Sequence, residues 1–123
     1  MKELEENSLL IDDGILKSCS LKEAVSVNVP AGVHTIGEGA FKGCTSIEHI
    51  VLPDTVSVIM ADAFKGCRRL QEINLPAGLK TIGDYAFHRC HQMREITLPV
   101  SVEALGNCVF LYCDSLEIVR MPG

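Results

Sequence analysis

The reactive side chains of this chain are six cysteines and four histidines, and most of the thiols fall in a fixed frame. "AFKGC" stands at 40–44 and again at 63–67, followed by the near-copies "AFHRC" at 86–90 and "VFLYC" at 109–113. A thiol repeated beside a phenylalanine can serve as a zinc ligand, a redox group, a disulfide partner or a wall of the core. His88, Cys90 and His91 raise a further option, a metal set or a Cys–His nucleophile pair, which requires side chains within hydrogen-bond reach. Cys19 and Cys108 lie outside the repeated frame. A small metal- or thiol-dependent protein would therefore draw on Cys108 with His88, His91 or Cys19.

Which chemistry is open to these groups depends on the elements that carry them, and a period sets those elements. Prolines stand at 30, 53, 76, 99 and 122, each step being 23 residues. The same step joins Val27, Ile50, Ile73, Ile96 and Val119, then Ile36, Ile59, Ile82 and Leu105, and the Phe and Cys columns. Residues 27–118 are thus four units of 23, with 119–123 beginning a fifth. Within "SIEHIVLPDTVSVIMADAFKGC", Ile50 and Leu52 flank Val51 with the period of a strand that has one buried face. Pro53 closes that strand. Val56 and Ile59 mark an apolar return path, and "ADAFKGC" reads as a tight turn with Ala63 and Phe64 inward. One such unit cannot fold alone, but coils stacked about 4.8 Å apart bury a continuous core with each column forming a ladder. Residues 1–26 are out of phase, since Cys19 and Cys44 are 25 apart. They are read as a tail, frayed or weakly helical over 1–8, and an atypical capping hairpin or half-repeat in which Ile15 and Leu16 cover the first repeat.

The pattern in "INLPAGLKTIGDYAFHRCHQM" at 73–93 resembles the BspA-like class of leucine-rich repeats, in which Pro, Ile-Gly, Ala-Phe and Cys recur in one frame. The resemblance implies a repeat solenoid of the α/β horseshoe type, built mainly of short parallel strands with 3₁₀ or irregular turns in a right-handed superhelix. It also implies a non-catalytic adhesive or recognition module of the kind found in bacterial surface proteins. Met60 in place of the glycine at 37, 83 and 106, and Val109 in place of alanine, depart from the pattern in local turn geometry.

Placed in this frame, most of the chemistry recedes. Thiols stacked one per coil have Cβ atoms too far apart for a disulfide, and a line of cysteines is not the tetrahedron zinc needs. Cys44, Cys67, Cys90 and Cys113 are read as small core hydrophobes beside a column of core rings, Phe41, Phe64, Phe87 and Phe110. Cys108 falls in a loop column with Gly39, Asp62 and Tyr85, where it is the most exposed candidate thiol; the role of Cys19 stays open. His88 and His91 share columns with Lys42, Lys65, Arg68 and Asp114 and are expected at solvent positions. His34 and His49 lie on separate faces with no carboxylate at suggestive spacing. No phosphate-binding loop, nucleophile elbow or zincin helix is present, so an enzyme is not expected and no cofactor is implied.

Binding is expected on the strand face. Its outward columns hold His49, Glu72, Glu95 and Ile118, and Val51, Asn74, Thr97 and Arg120, a varied polar ladder on a uniform scaffold. The fitting partner is a protein or peptide, the alternative being a structural spacer of a larger surface protein. A basic stripe, Lys42, Lys65, Arg68, Arg69, Arg89 and Arg94, is read as a solvated face; no aromatic residues interleave it for base stacking, and an acidic peptide or polymer is the partner it would otherwise suit. In the last unit Leu111, Tyr112 and Ile118 replace mostly polar residues or glycine, leaving an edge that either further repeats would cover or that pairs with another copy; self-association through 105–123 is expected.

The totals fit this reading. The 123 residues are 47% hydrophobic with a net charge of −5, values that suit one folded domain and disfavour nucleic-acid partners. No apolar run is long enough to span a membrane. The acidic start "MKELEENSLL" lacks a signal-peptide h-region, so a cytoplasmic location is expected for the chain as written, and a secreted or surface one if it is a fragment.

Overall fold

The computed structural model describes residues 9–21 and 23–121. The segment 1–8 and Pro122, about which the sequence raised expectations, lie outside the described residues.

The chain opens on a hairpin of β1 (Leu9–Asp12) and β2 (Ile15–Cys19), paired antiparallel. Its turn is the Asp13-Gly14 pair, at φ 53° and 77°. Two consecutive positive φ values match the twist of a two-residue hairpin, and Asp-Gly adopts them at low cost. From there every strand pairing is parallel. β4 (Thr35–Ile36), β6 (Val58–Ile59), β8 (Thr81–Ile82) and β10 (Ala104–Leu105) continue the hairpin into one sheet of order β1-β2-β4-β6-β8-β10. Leu16 faces Ile36, Ile36 faces Ile59, and Ile59 faces Ile82, so the isoleucine column is a vertical ladder one coil apart. A second wall carries β3 (Ser26–Asn28), β5 (His49–Val51) and β7 (Glu72–Ile73) in one sheet, and β9 (Glu95–Thr97) with β11 (Ile118–Arg120) in another. The return path is therefore itself a strand wall, the longest in the molecule. Its two-residue strands are too short for alternation to show in the sequence.

No helix of any kind occurs among the described residues, which corrects the α/β horseshoe expectation. The third wall consists of turns. Within each coil Ala40 N–H bonds Gly37 O and Cys44 N–H bonds Phe41 O, closing three-residue reversals. Between coils the amides bond along the stack: Phe41 N–H to Ala63 O at 2.7 Å, Phe64 N–H to Ala86 O at 2.8 Å, Phe87 N–H to Val109 O at 3.0 Å. A helix would direct those amides along its own axis, whereas the stack needs them for its neighbours.

The core lies between the three walls. Phe41, Phe64 and Phe87 are fully buried and stacked, with centroids 5.2 Å apart and rings tilted by 10° and 7°. Phe87 and Phe110 are 5.9 Å apart, but Phe110 and Cys113 are only half-buried, which qualifies the expectation of a uniform core ladder. The last coil has a neighbour on one side only. Cys44, Cys67 and Cys90 are buried beside the rings, and none of the described cysteines is disulfide-bonded.

Candidate functional site

Two surfaces carry the candidate groups: the strand wall and the turn wall. On the strand wall Val27, Ile50 and Ile96 point inward and are buried, while His49, Val51, Glu72, Asn74, Glu95, Thr97, Ile118 and Arg120 face outward. The wall is not continuous. β3, β5 and β7 are hydrogen-bonded in register, as are β9 and β11, but no ladder joins β7 to β9.

The bonds that border this seam differ from those of the regular ladder. At equivalent positions Val29 N–H bonds Val51 O and Leu98 N–H bonds Arg120 O, each at 2.9 Å. Between β5 and β7, one step before the seam, the side chain of Asn74 replaces the backbone: Leu52 N–H donates to Asn74 Oδ1 at 2.8 Å, and Asn74 Nδ2 donates back to Leu52 O at 3.0 Å. At the seam itself the cause is charge. Glu72 and Glu95 occupy adjacent rungs of one column, where like charges repel. Glu72 pairs with His49 Nδ1 at 3.0 Å on the preceding coil, and Glu95 with Arg120 Nε at 3.7 Å on the following one. Each carboxylate is drawn away from the other, and a cleft of about 600 Å³ opens, lined by Glu72, Ile73, Asn74, Leu75, Glu95 and Thr97 among others. Ile73 is half-buried there, unlike its buried counterparts Ile50 and Ile96. The His49–Glu72 contact also corrects the expectation that His49 lacks a carboxylate; the partner is one full period away, a spacing that only a stacked solenoid makes short.

On the turn wall the cysteines have a role the sequence did not reveal. Cys67 Sγ donates to Phe41 O at 3.1 Å, Cys90 Sγ to Phe64 O at 3.3 Å, and Cys113 Sγ to Phe87 O at 3.0 Å. Each of those carbonyls also accepts an amide of its own turn, from Cys44, Cys67 and Cys90 respectively. The thiol occupies the second lone pair of a buried carbonyl while packing like a small hydrophobe. Burial raises the Cys67 thiol to about 12, and the neighbouring Cys113 thiol together with burial raises Cys90 still further. These are the opposite of activated nucleophiles.

The candidate thiol site does not assemble as one constellation. Cys108 is exposed and sits at φ 55°, and its thiol raises the Tyr85 phenol above its usual range. Cys19 is buried in β2, on the N-terminal hairpin. His91 faces Asp114 at 3.8 Å. Among the described residues no group of three His, Cys, Asp or Glu side chains is arranged to hold a metal ion.

His88 departs from the sequence expectation of a solvent position. It is only 8% exposed, packed between Tyr85, edge-on at 5.3 Å, and Tyr112 at 5.7 Å. Both ring nitrogens are buried without a hydrogen-bond partner. Burial first, then Lys65 and Arg89, lower its pKa, with Asp62 opposing. The tyrosines that cover it are large residues in the turn columns, where the first coil has glycine. They also interleave the basic stripe, contrary to expectation: Lys65 lies over Tyr85 at 5.9 Å and Arg89 over Tyr112 at 5.5 Å.

The comparisons with known proteins agree with this architecture. The family model described as a BspA type leucine rich repeat region (6 copies) matches residues 9–123. A leucine-rich repeat protein from Bacteroides ovatus is 37% identical, with a TM-score of 0.79 over 88% of this chain. This chain spans 29% of that protein's length. A leucine-rich repeat protein from Bacteroides capillosus is 27% identical, with a TM-score of 0.79, covering 94% of this chain and 99% of its own. A leucine rich cell surface protein from Faecalibacterium prausnitzii is 27% identical, with a TM-score of 0.61 over 89% of this chain and 35% of its own. No curated protein matches the sequence. With its repeat period, its stacked parallel coils and a family match across nearly all its length, the chain belongs to the BspA-type leucine-rich repeat family.

Proposed function

We propose that this protein is a non-catalytic recognition module that binds a protein or peptide ligand on its strand wall, at the seam between β7 and β9. The observation that carries the reading is the break in an otherwise regular ladder. It leaves Ile73 half-buried and sets Glu72, Asn74, Glu95 and Thr97 around a cleft, combining an apolar floor with a few directed polar groups. The cell-surface description of the F. prausnitzii protein favours a surface setting over the cytoplasmic one.

Selecting peptides from a random library on the intact protein tests the proposal. Peptides enriched on the wild type should lose about tenfold in affinity with Glu72→Ala or Glu95→Ala, the loss of one charged hydrogen bond. They should be unaffected by Lys80→Ala on the opposite sheet. Selected peptides insensitive to both strand-wall changes would refute it.

A second reading, self-association through the final coil, rests on β10 and β11 each pairing on one side only. Leu111, Tyr112 and Ile118 are exposed beside them. Parallel edges with apolar side chains favour pairing with a second copy.

A further inference from the structure

We propose that the basic cleft on the turn wall, around His88, is a second binding site that holds a sulfated polysaccharide chain along the solenoid axis. The cleft, about 640 Å³, is lined by three consecutive coils, with Lys42, Lys65, Arg68 and Arg89 around buried His88. Two coil steps of about 4.8 Å make it a groove about 10 Å long, suited to a linear ligand rather than a compact one.

Three independent features point to a ligand. First, Lys42, Lys65, Arg68 and Arg89 make no ion pair among the described residues, a state they share with Arg69 and Arg94 but one that here gathers four cations on one cleft, whereas Lys17, Lys80 and Arg120 are paired with carboxylates. A chain with net charge −5 has carboxylates to spare, yet leaves these cations mutually repelling. Second, His88 is nine-tenths buried with both ring nitrogens unpartnered, a cost normally removed by a hydrogen-bonding group. Third, the residues that frame the cleft sit in strained backbone. Arg89 and Tyr112 have φ 64° and 60° in the column where Gly43 and Gly66 have 75° and 78°. Glycine serves that column in the earlier coils, so the later side chains are there against local preference, as at functional sites. Tyr85 and Tyr112 hold the Lys65 and Arg89 heads at fixed positions over their rings.

The chemistry of the ligand follows from what the cleft lacks. The amides of Gly43, Gly66 and Arg89 are already bonded to Lys65 O, His88 O and Leu111 O on the next coil, at 2.9, 2.7 and 2.9 Å. These three amides are closed to a peptide main chain. Each tyrosine ring carries a cation on one face, which leaves less ring surface on which to stack a base. What remains are fixed cations in a shallow groove, which fit anionic oxygens borne as substituents along a chain; sulfate esters supply three oxygens each to Arg and Lys donors.

The test measures binding of a sulfated heparin-type octasaccharide to the intact protein at about 20 mM salt, where exposed charges are weakly screened. Comparators are the desulfated octasaccharide, polyglutamate and a single-stranded oligonucleotide. Arg89→Gly is the informative variant, because glycine suits that φ and the protein should melt no lower than wild type. The proposal expects Arg89→Gly and Lys65→Ala each to weaken sulfated-chain binding about tenfold. Each should reduce the slope of log Kd against log salt by about one. The His88 ring resonances should shift on saturation. No binding, equal binding of the desulfated chain, polyglutamate or oligonucleotide, or indifference to both substitutions would overturn it.

Discussion

Removing the Cys67 thiol tests the physical account of the stack most directly. Its pKa is raised from 9.0 to about 12, mainly by burial, and its proton is shared with Phe41 O at 3.1 Å. Between those values an unfolded chain gives up this proton while the folded one keeps it. The folded state then binds more protons, so stability falls as pH rises through that window. At about pH 10.5, half-way through it, the shift corresponds to about 2 kcal/mol, at 1.36 kcal/mol per pH unit. At about pH 7.5 the full thiol interaction is present, and Cys67→Ala should cost about 1–2 kcal/mol through the lost hydrogen bond and the small cavity. Urea unfolding of wild type and variant, under reducing conditions at both pH values, cancels the titration of every other group. The stability gap should shrink by about 2 kcal/mol at the higher pH and close or invert. A gap that stays constant would show that the Cys67 proton is not retained by the fold, and the account of thiols as buried donors would fail.

Three further outcomes follow from the same geometry. Phe64→Ala, removing a ring stacked on both faces, should destabilise by about 3–5 kcal/mol in urea unfolding, and Phe110→Ala, half-buried with one ring neighbour, clearly less. The His88 pKa is lowered by burial, Lys65 and Arg89, so the unfolded chain takes up a proton below about pH 6.5 that the folded chain does not. Stability should thus fall on acidification from about pH 7 to 5.5, and His88→Phe should flatten that fall; an unchanged profile would contradict the lowered pKa. If the final coil self-associates, Leu111→Glu with Ile118→Glu should leave a monomer across concentrations at which wild type sediments as a dimer, and identical sedimentation would dismiss that interface.

The period made the vertical stacking legible, because a proline, an isoleucine, a phenylalanine and a cysteine every 23 residues admit little else. The strand at 49–51 could be read from alternation. The two-residue strands such as Val58–Ile59 could not, since their pairing is made by the neighbouring coil. The outward columns were identifiable as columns, but the seam was not. It depends on which ion partner each glutamate chose. His88 was misplaced because its column holds lysine in the earlier coils, while the tyrosines that bury it belong to other columns and to two different coils. Lys42, Lys65, Arg68 and Arg89 were visible as a basic stripe, but their lack of counter-charges could be seen only in three dimensions.

The interrupted strand wall also bears on how the whole body deforms. The return-path sheet and the turn wall are bonded without interruption across the level of β7 and β9, whereas no strand ladder joins the strand wall there. A column fastened along two flanks and loose along the third flexes at that storey, as a hinged spine does. Its upper and lower blocks can tilt to widen or narrow the opening while the ring stack beneath serves as the pivot, so grip and curvature become a single degree of freedom.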